Sequence, residues 1–219
     1  MKYYKYCINL KWLNIICSLL FIPLLFLVYI MNIYKYMDFM CFILYFFWMF
    51  IHEFLHGIGF SLNKSVNNNK IVYGACLEKG IFYCMCKDLI SKNGIIVSLL
   101  FPFFFIGVFT FFIGLIINNS ILILLSLFNI VGSIGDLIMF FSFYKLPDFN
   151  YLDLDDCDSF VLVSNSDLSN YKLFCMDLVE VGEYSNLEFS HNYKKITVSK
   201  FSFLIFVLLI VLLVLNFFM

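Results

Sequence analysis

Five apolar stretches of about 20 residues leave this chain few ways to fold: Leu13–Ile33, Cys41–Leu62, Gly94–Ile117, Ile121–Tyr144 and Phe201–Met219. A helix of that length crosses the hydrocarbon core of a bilayer, where irregular backbone facing lipid is not tolerated. Pro23 and Pro102, inside the first and third stretches, are compatible with membrane helices. Of the 219 residues, 63% are hydrophobic and only 13% charged, against about a quarter charged in a soluble domain. The expected fold class is therefore an all-α polytopic membrane protein with about five transmembrane helices, a short cytoplasmic β-hairpin and a small cytoplasmic segment. The first apolar stretch lacks a small-residue cleavage site and suits a retained span better than a signal peptide.

The lysines set a direction. There are 14 basic residues and all are lysine, which with the abundance of Phe, Ile, Asn and Tyr points to the AT-rich genome of a bacterium. With the N-terminus in the cytoplasm, thirteen of them lie inside and only Lys35 outside; the reverse orientation would violate the positive-inside rule almost completely. The expected location is the cell membrane, with several spans and a cytoplasmic N-terminus. Residues 1–144 then form a membrane core, 145–199 a small acidic cytoplasmic segment containing "DLDDCD", and 200–219 a C-terminal transmembrane helix. Between the second and third spans, "KIVYGACLE" and "GIFYCMC" flank Glu78-Lys79-Gly80 and predict the hairpin. The net charge of -1 argues against a nucleic-acid partner. The eight cysteines show no CxxC spacing and are expected as reduced thiols.

Within the second span, "WMFIHEFLHGIGF" places His52, Glu53 and His56 among apolar residues. Ionisable groups are costly in a bilayer and functional by default. The pattern H-E-x-x-H puts two imidazoles four residues apart, on one helix face, where both reach one ion. A glutamate one step round from the first histidine can serve as general base on a metal-bound water. A catalytic zinc site usually takes three protein ligands. His191 sits in the acidic segment and is expected to be solvated, whereas Asp136 in "NIVGSIGDLIMF" is the carboxylate inside the fourth span. His56 and Asp136 each lie about 15 residues from the outer end of their spans, so a rise of about 1.5 Å per residue places them in one layer, in the cytoplasmic half of the bilayer. Gly57, Gly59, Gly132 and Gly135 flank these positions, and small residues let membrane helices approach closely.

With these residues in place, the chain resembles the site-2 protease clan of intramembrane zinc metalloproteases. It is still more similar to a family of small bacterial membrane proteins known as "putative zincin peptidases". The likeness to that family runs over about residues 45–165, from "HEFLHG" through "VYGACLE", "SLLFPFF" and "IGDLIMFF" to "YKLPDFNYLDLDD". Asn129 corresponds to the clan's asparagine, while the proline of its motif is missing. The resemblance implies Zn2+ held by His52, His56 and Asp136, with Glu53 catalytic, hydrolysing peptide bonds of membrane-associated proteins or peptides. A non-catalytic metal-binding membrane scaffold, regulator or immunity-type protein is the alternative, distinguished by indifference to loss of Glu53.

Overall fold

A computed structural model describes residues 1–37, 39–64, 66–76, 81–154, 159–186 and 196–198. The expected C-terminal helix over 200–219, His191, the hairpin turn at Glu78-Lys79-Gly80 and most of "DLDDCD" lie outside the described residues.

The chain begins as strand β1 (Lys2–Ile8) and continues as helices α1 (Leu10–Ile30) and α2 (Phe39–Ser61). Strands β2 (Ile71–Cys76), β3 (Ile81–Cys86) and β4 (Ile90–Ser91) lead into α3 (Lys92–Pro102), which runs through a π-helical stretch, Phe103–Phe109, into α4 (Thr110–Ile116). Next come α5 (Ser120–Gly132) and α6 (Ile134–Tyr144), then β5 (Asn150–Asp153), β6 (Ser159–Ser164), β7 (Met176–Glu183) and β8 (Ile196–Val198). Three helical stretches, Leu10–Ile30, Ile43–Ser61 and Lys92–Ile116, are long and apolar enough to cross a membrane, and α5 with α6 makes a fourth if the bent pair is one span. Asn32 and Asn118 close the turns after α1 and α4 with φ of 56° and 55°, a left-handed conformation that asparagine tolerates.

The all-α expectation is wrong. Among the described residues there are two antiparallel sheets, a five-stranded one in the order β4-β5-β6-β1-β7 and a three-stranded one in the order β3-β2-β8. The expected hairpin is present as β2 and β3, but "KYYKYCI" also forms a strand. Its alternation buries Tyr4 and Tyr6 beside Phe143, Phe160 and Leu162, while Tyr3 packs on the opposite face with Val161 and Val163. Residues 145–186 thus gain stability from a strand that precedes every helix, since β1 lies between β6 and β7. Because β1, β4 and β5–β7 share a sheet, the start of α1, the start of α3 and the end of α6 meet at one end of the helical bundle. There Lys92 donates through Nζ to the carbonyls of Tyr144 and Leu146 at the end of α6, where free carbonyls and the helix dipole favour a cation.

Over Ile121–Tyr144 the structure has two helices at 45° to each other. The break falls at Ser133, whose hydroxyl and N–H both donate to the Asn129 carbonyl, at 2.9 and 2.8 Å. Asp136 consequently lies in the first turn of α6, where exposed N–H groups favour a carboxylate.

Candidate metal centre

Helix α2 carries His52 and His56 one turn apart, and each imidazole is held at Nδ1 by a neighbouring helix. His56 Nδ1–H donates to the Ser98 carbonyl on α3 at 2.8 Å, and the Ser98 hydroxyl returns a bond to the His56 carbonyl at 2.9 Å. The two helices can pass this closely because of Gly59: a Cβ there would sit 2.5 Å from Ser98 Cα. His52 Nδ1–H donates to Asn129 Oδ1 on α5 at 2.9 Å, and the same amide donates through Nδ2 to the Pro102 carbonyl at 3.3 Å. That second bond fixes which way the Asn129 amide points, and the acceptor atoms fix the histidine tautomers.

With the proton of each neutral ring held on Nδ1, the form in which histidine ligates a metal, each ring would present a bare Nε2. The two Nε2 atoms lie 3.1 Å apart. Asp136 Oδ2 is 3.2 Å from the His52 Nε2 and Oδ1 is 3.5 Å from that of His56. In that neutral form three lone-pair donors converge with no proton between them, and one ligand atom from each residue lies within 4.8 Å of the others. A cation relieves that repulsion, and two imidazoles with a carboxylate suit zinc. The Nδ1 bonds to a carbonyl and an amide are the outer support that metal-binding histidines usually have. The donor set therefore fits the ion that the sequence leads one to expect there. The structure brings His52, His56 and Asp136 together as one group able to hold a metal.

Glu53 faces the same space. It lines a cavity of about 260 Å³ together with His52, His56, Asp136, Tyr151 and Asp153. The hairpin is seated on α2 by Tyr73, whose hydroxyl lies where a Cβ on Gly57 would stand, 1.9 Å away. Cys84 also borders the cavity. Burial first, and then the neighbouring Glu53 charge, push its thiol well above the usual range, so it stays protonated and is a poor ligand or nucleophile. The outward N–H of β3 at Cys86 is taken by Asp153 Oδ2 at 2.9 Å, so an incoming peptide strand would have to displace that carboxylate to pair at this position.

Sequence reasoning missed two supports: Ser98 and Asp153. A serine within "IIVSLLF" is weakly marked, since a lone hydroxyl in a membrane helix commonly bonds its own backbone. The bonds from Cys86 to Asp153 and from His56 to Ser98 use main-chain groups, on which the side-chain pattern is silent. Asn129 was visible as an amide in an apolar helix, though its service to His52 was not.

These features define a chain with helices able to cross a membrane and a His-His-carboxylate group, set beside a glutamate, able to hold a metal ion. Residues 45–151 match the model of the family described as "Putative zincin peptidase". The matched segment runs from α2 to β5 and contains His52, Glu53, His56, Ser98, Asn129 and Asp136. No curated protein and no solved structure gave a match.

Proposed function

We propose that this protein is an intramembrane zinc peptidase that hydrolyses peptide bonds of membrane-associated proteins or peptides. His52, His56 and Asp136 hold the metal, and Glu53 is the general base. The observation that carries this reading is the convergence of two bare imidazole nitrogens and a carboxylate, with Glu53 on the adjoining helix position and in the same cavity. The match of residues 45–151 to a zincin family model points to the same chemistry. Bound zinc would lower the pKa of water in its coordination sphere to about 7 and polarise a carbonyl oxygen. Glu53 takes the proton from the attacking water and passes it to the leaving amine, a role that needs a carboxylate within reach of both atoms. Asn129 and the Ser98 carbonyl keep both histidines in the tautomer that leaves Nε2 free.

The bilayer setting is supported by the lengths of the apolar helices and by their outward faces, where Leu19, Phe26, Phe109 and Phe112 are exposed. Strand β1, which carries Lys2 and Lys5, and the start of α3 at Lys92 meet at the sheet end of the bundle, whereas Lys35 lies in the turn between α1 and α2. That distribution supports a cytoplasmic sheet end and a site in the cytoplasmic half of the membrane.

The decisive experiment is release of a labelled membrane peptide by the detergent-purified, zinc-loaded protein. Glu53→Gln should retain zinc and lose about 10²–10⁴-fold in rate, the usual contribution of a general base. Undiminished cleavage would remove Glu53 from the mechanism, and zinc binding without any hydrolysis would favour a metal-binding scaffold or regulator.

A further inference from the structure

Pro102 is buried at the end of α3, four residues beyond Ser98. In a regular helix the N–H at position 102 would donate to the Ser98 carbonyl. Proline has no N–H, and its ring also pushes against the carbonyl four residues back. The Ser98 carbonyl is thus deprived of its helical donor. It belongs to a fully buried residue, where a main-chain oxygen without a partner is costly. Its partner is His56, which donates from Nδ1 at 2.8 Å.

Beyond the proline the helix widens into the π-helical turns of Phe103–Phe109, and the Pro102 carbonyl accepts Asn129 Nδ2–H at 3.3 Å. Gly107 leaves space for that amide: a Cβ there would lie 3.3 Å from Nδ2 and 3.0 Å from Ile130 Cγ1. Asn129 in turn accepts the His52 Nδ1–H at 2.9 Å. The supports of both imidazoles therefore lead back to one proline. We propose that Pro102 is a positioning residue for the metal centre: by withholding an N–H it leaves the Ser98 carbonyl to His56, and that bond keeps the His56 Nε2 turned toward His52 and Asp136. The inference rests on the reading of His52, His56 and Asp136 as metal ligands. An alanine at position 102 would restore the helical donor, and two N–H groups would then compete for one oxygen. A proline that merely bent or packed the helix would act through its ring, not through the absent hydrogen.

The test compares three forms of the full-length, detergent-purified protein: wild type, Pro102→Ala, and one with an ester-linked lactic acid at position 102. The ester removes the N–H without restoring the ring. Zinc affinity is measured by chelator competition, and the carbon-13 shift of the Ser98 carbonyl is followed by NMR in the metal-free protein. Pro102→Ala should bind zinc about 10–100-fold more weakly, the usual cost of losing an outer partner of a metal-binding histidine. The lactic acid form should recover most of that loss. In the metal-free protein, adding His56→Phe should move the Ser98 carbonyl shift when proline is present and leave it nearly still in Pro102→Ala, where the helix supplies the donor. The proposal is overturned if Pro102→Ala binds zinc like wild type, if the lactic acid form is as weak as Pro102→Ala, or if His56→Phe moves the Ser98 carbonyl equally with proline and with alanine. Absence of zinc binding in all three forms would instead refute the metal reading, and the carbonyl shifts would still decide whether Pro102 gives the Ser98 oxygen to His56.

Discussion

The Nε2 atoms of His52 and His56 face each other across 3.1 Å, while both of their Nδ1–H groups are committed to other helices. Two nitrogens bound to one tetrahedral zinc at about 2.0–2.1 Å would lie about 3.3 Å apart. The helix repeat together with Asn129 and the Ser98 carbonyl therefore arranges the pair at nearly the spacing a metal requires. The site is organised in advance by four helices, α2, α3, α5 and α6, and what an ion would add is charge balance.

The first expectation concerns stoichiometry. Elemental analysis of the detergent-purified protein should give about one zinc per chain, and His52→Ala, His56→Ala and Asp136→Ala should each lose most of it. Full retention in Asp136→Ala would remove Asp136 from the ligand set.

Asn129 gives a sharper test because it would touch no metal. Asn129→Leu deprives His52 of its Nδ1 acceptor, and zinc affinity measured by chelator competition should fall about 10–100-fold. Asn129→Asp keeps an acceptor oxygen and should fall much less. Equal affinity in Asn129→Leu and wild type would show that His52 takes its orientation from elsewhere.

Close approach of α2 and α3 makes a third prediction. Gly59→Ala would set a methyl 2.5 Å from Ser98 Cα, backbone that cannot give way without moving a helix. It should cost about 1–3 kcal/mol in thermal or denaturant unfolding, the usual range for overpacking, and weaken zinc binding through His56. Gly135→Ala is the control: its Cβ meets nothing nearer than Leu13 Cδ2 at 3.9 Å, so stability should stay within about 0.5 kcal/mol of wild type. If both variants behave alike, helix separation is not set at Gly59.

Sidedness can be read by thiol labelling. Tyr34 in the turn after α1 and Ser166 after β6 are both exposed and lie on opposite sides of the proposed bilayer. A membrane-impermeant maleimide should modify Tyr34→Cys in intact cells, and Ser166→Cys only in inverted vesicles, above the background of the native thiols. Labelling of both from one side would contradict the proposed arrangement of spans.

How much of this was legible in the sequence differs between the site and the fold. His52, Glu53 and His56 were visible because charge is expensive in an apolar helix, and Asp136 because an equal count of residues brought it to the level of His56. The structure adds that Ser133 breaks the helix there, so Asp136 approaches from the start of α6. The sheet was the large omission. Lys2 and Lys5 were read as charges flanking a span, and that reading hid the alternation of Tyr4 and Tyr6, buried in the core, with neighbours on the other face. Local pattern also cannot reveal that the partners of β1 lie more than 150 residues further on: Lys2 pairs with Ser164 and with Glu183.

That pairing bears on how the molecule is made. β1 is translated before α1, yet β6 and β7, the strands that flank it, are translated only after α6. Through the whole of membrane insertion this tyrosine-rich strand must wait without its neighbours, exposed to mispairing or to a chaperone. Long-range pairing of this kind is slow, so closing the sheet is a late event in maturation. Asp153, which reaches β3 from the same sheet, takes its place in that same late step, and the cavity around Glu53 would receive its final wall only once translation has passed β7.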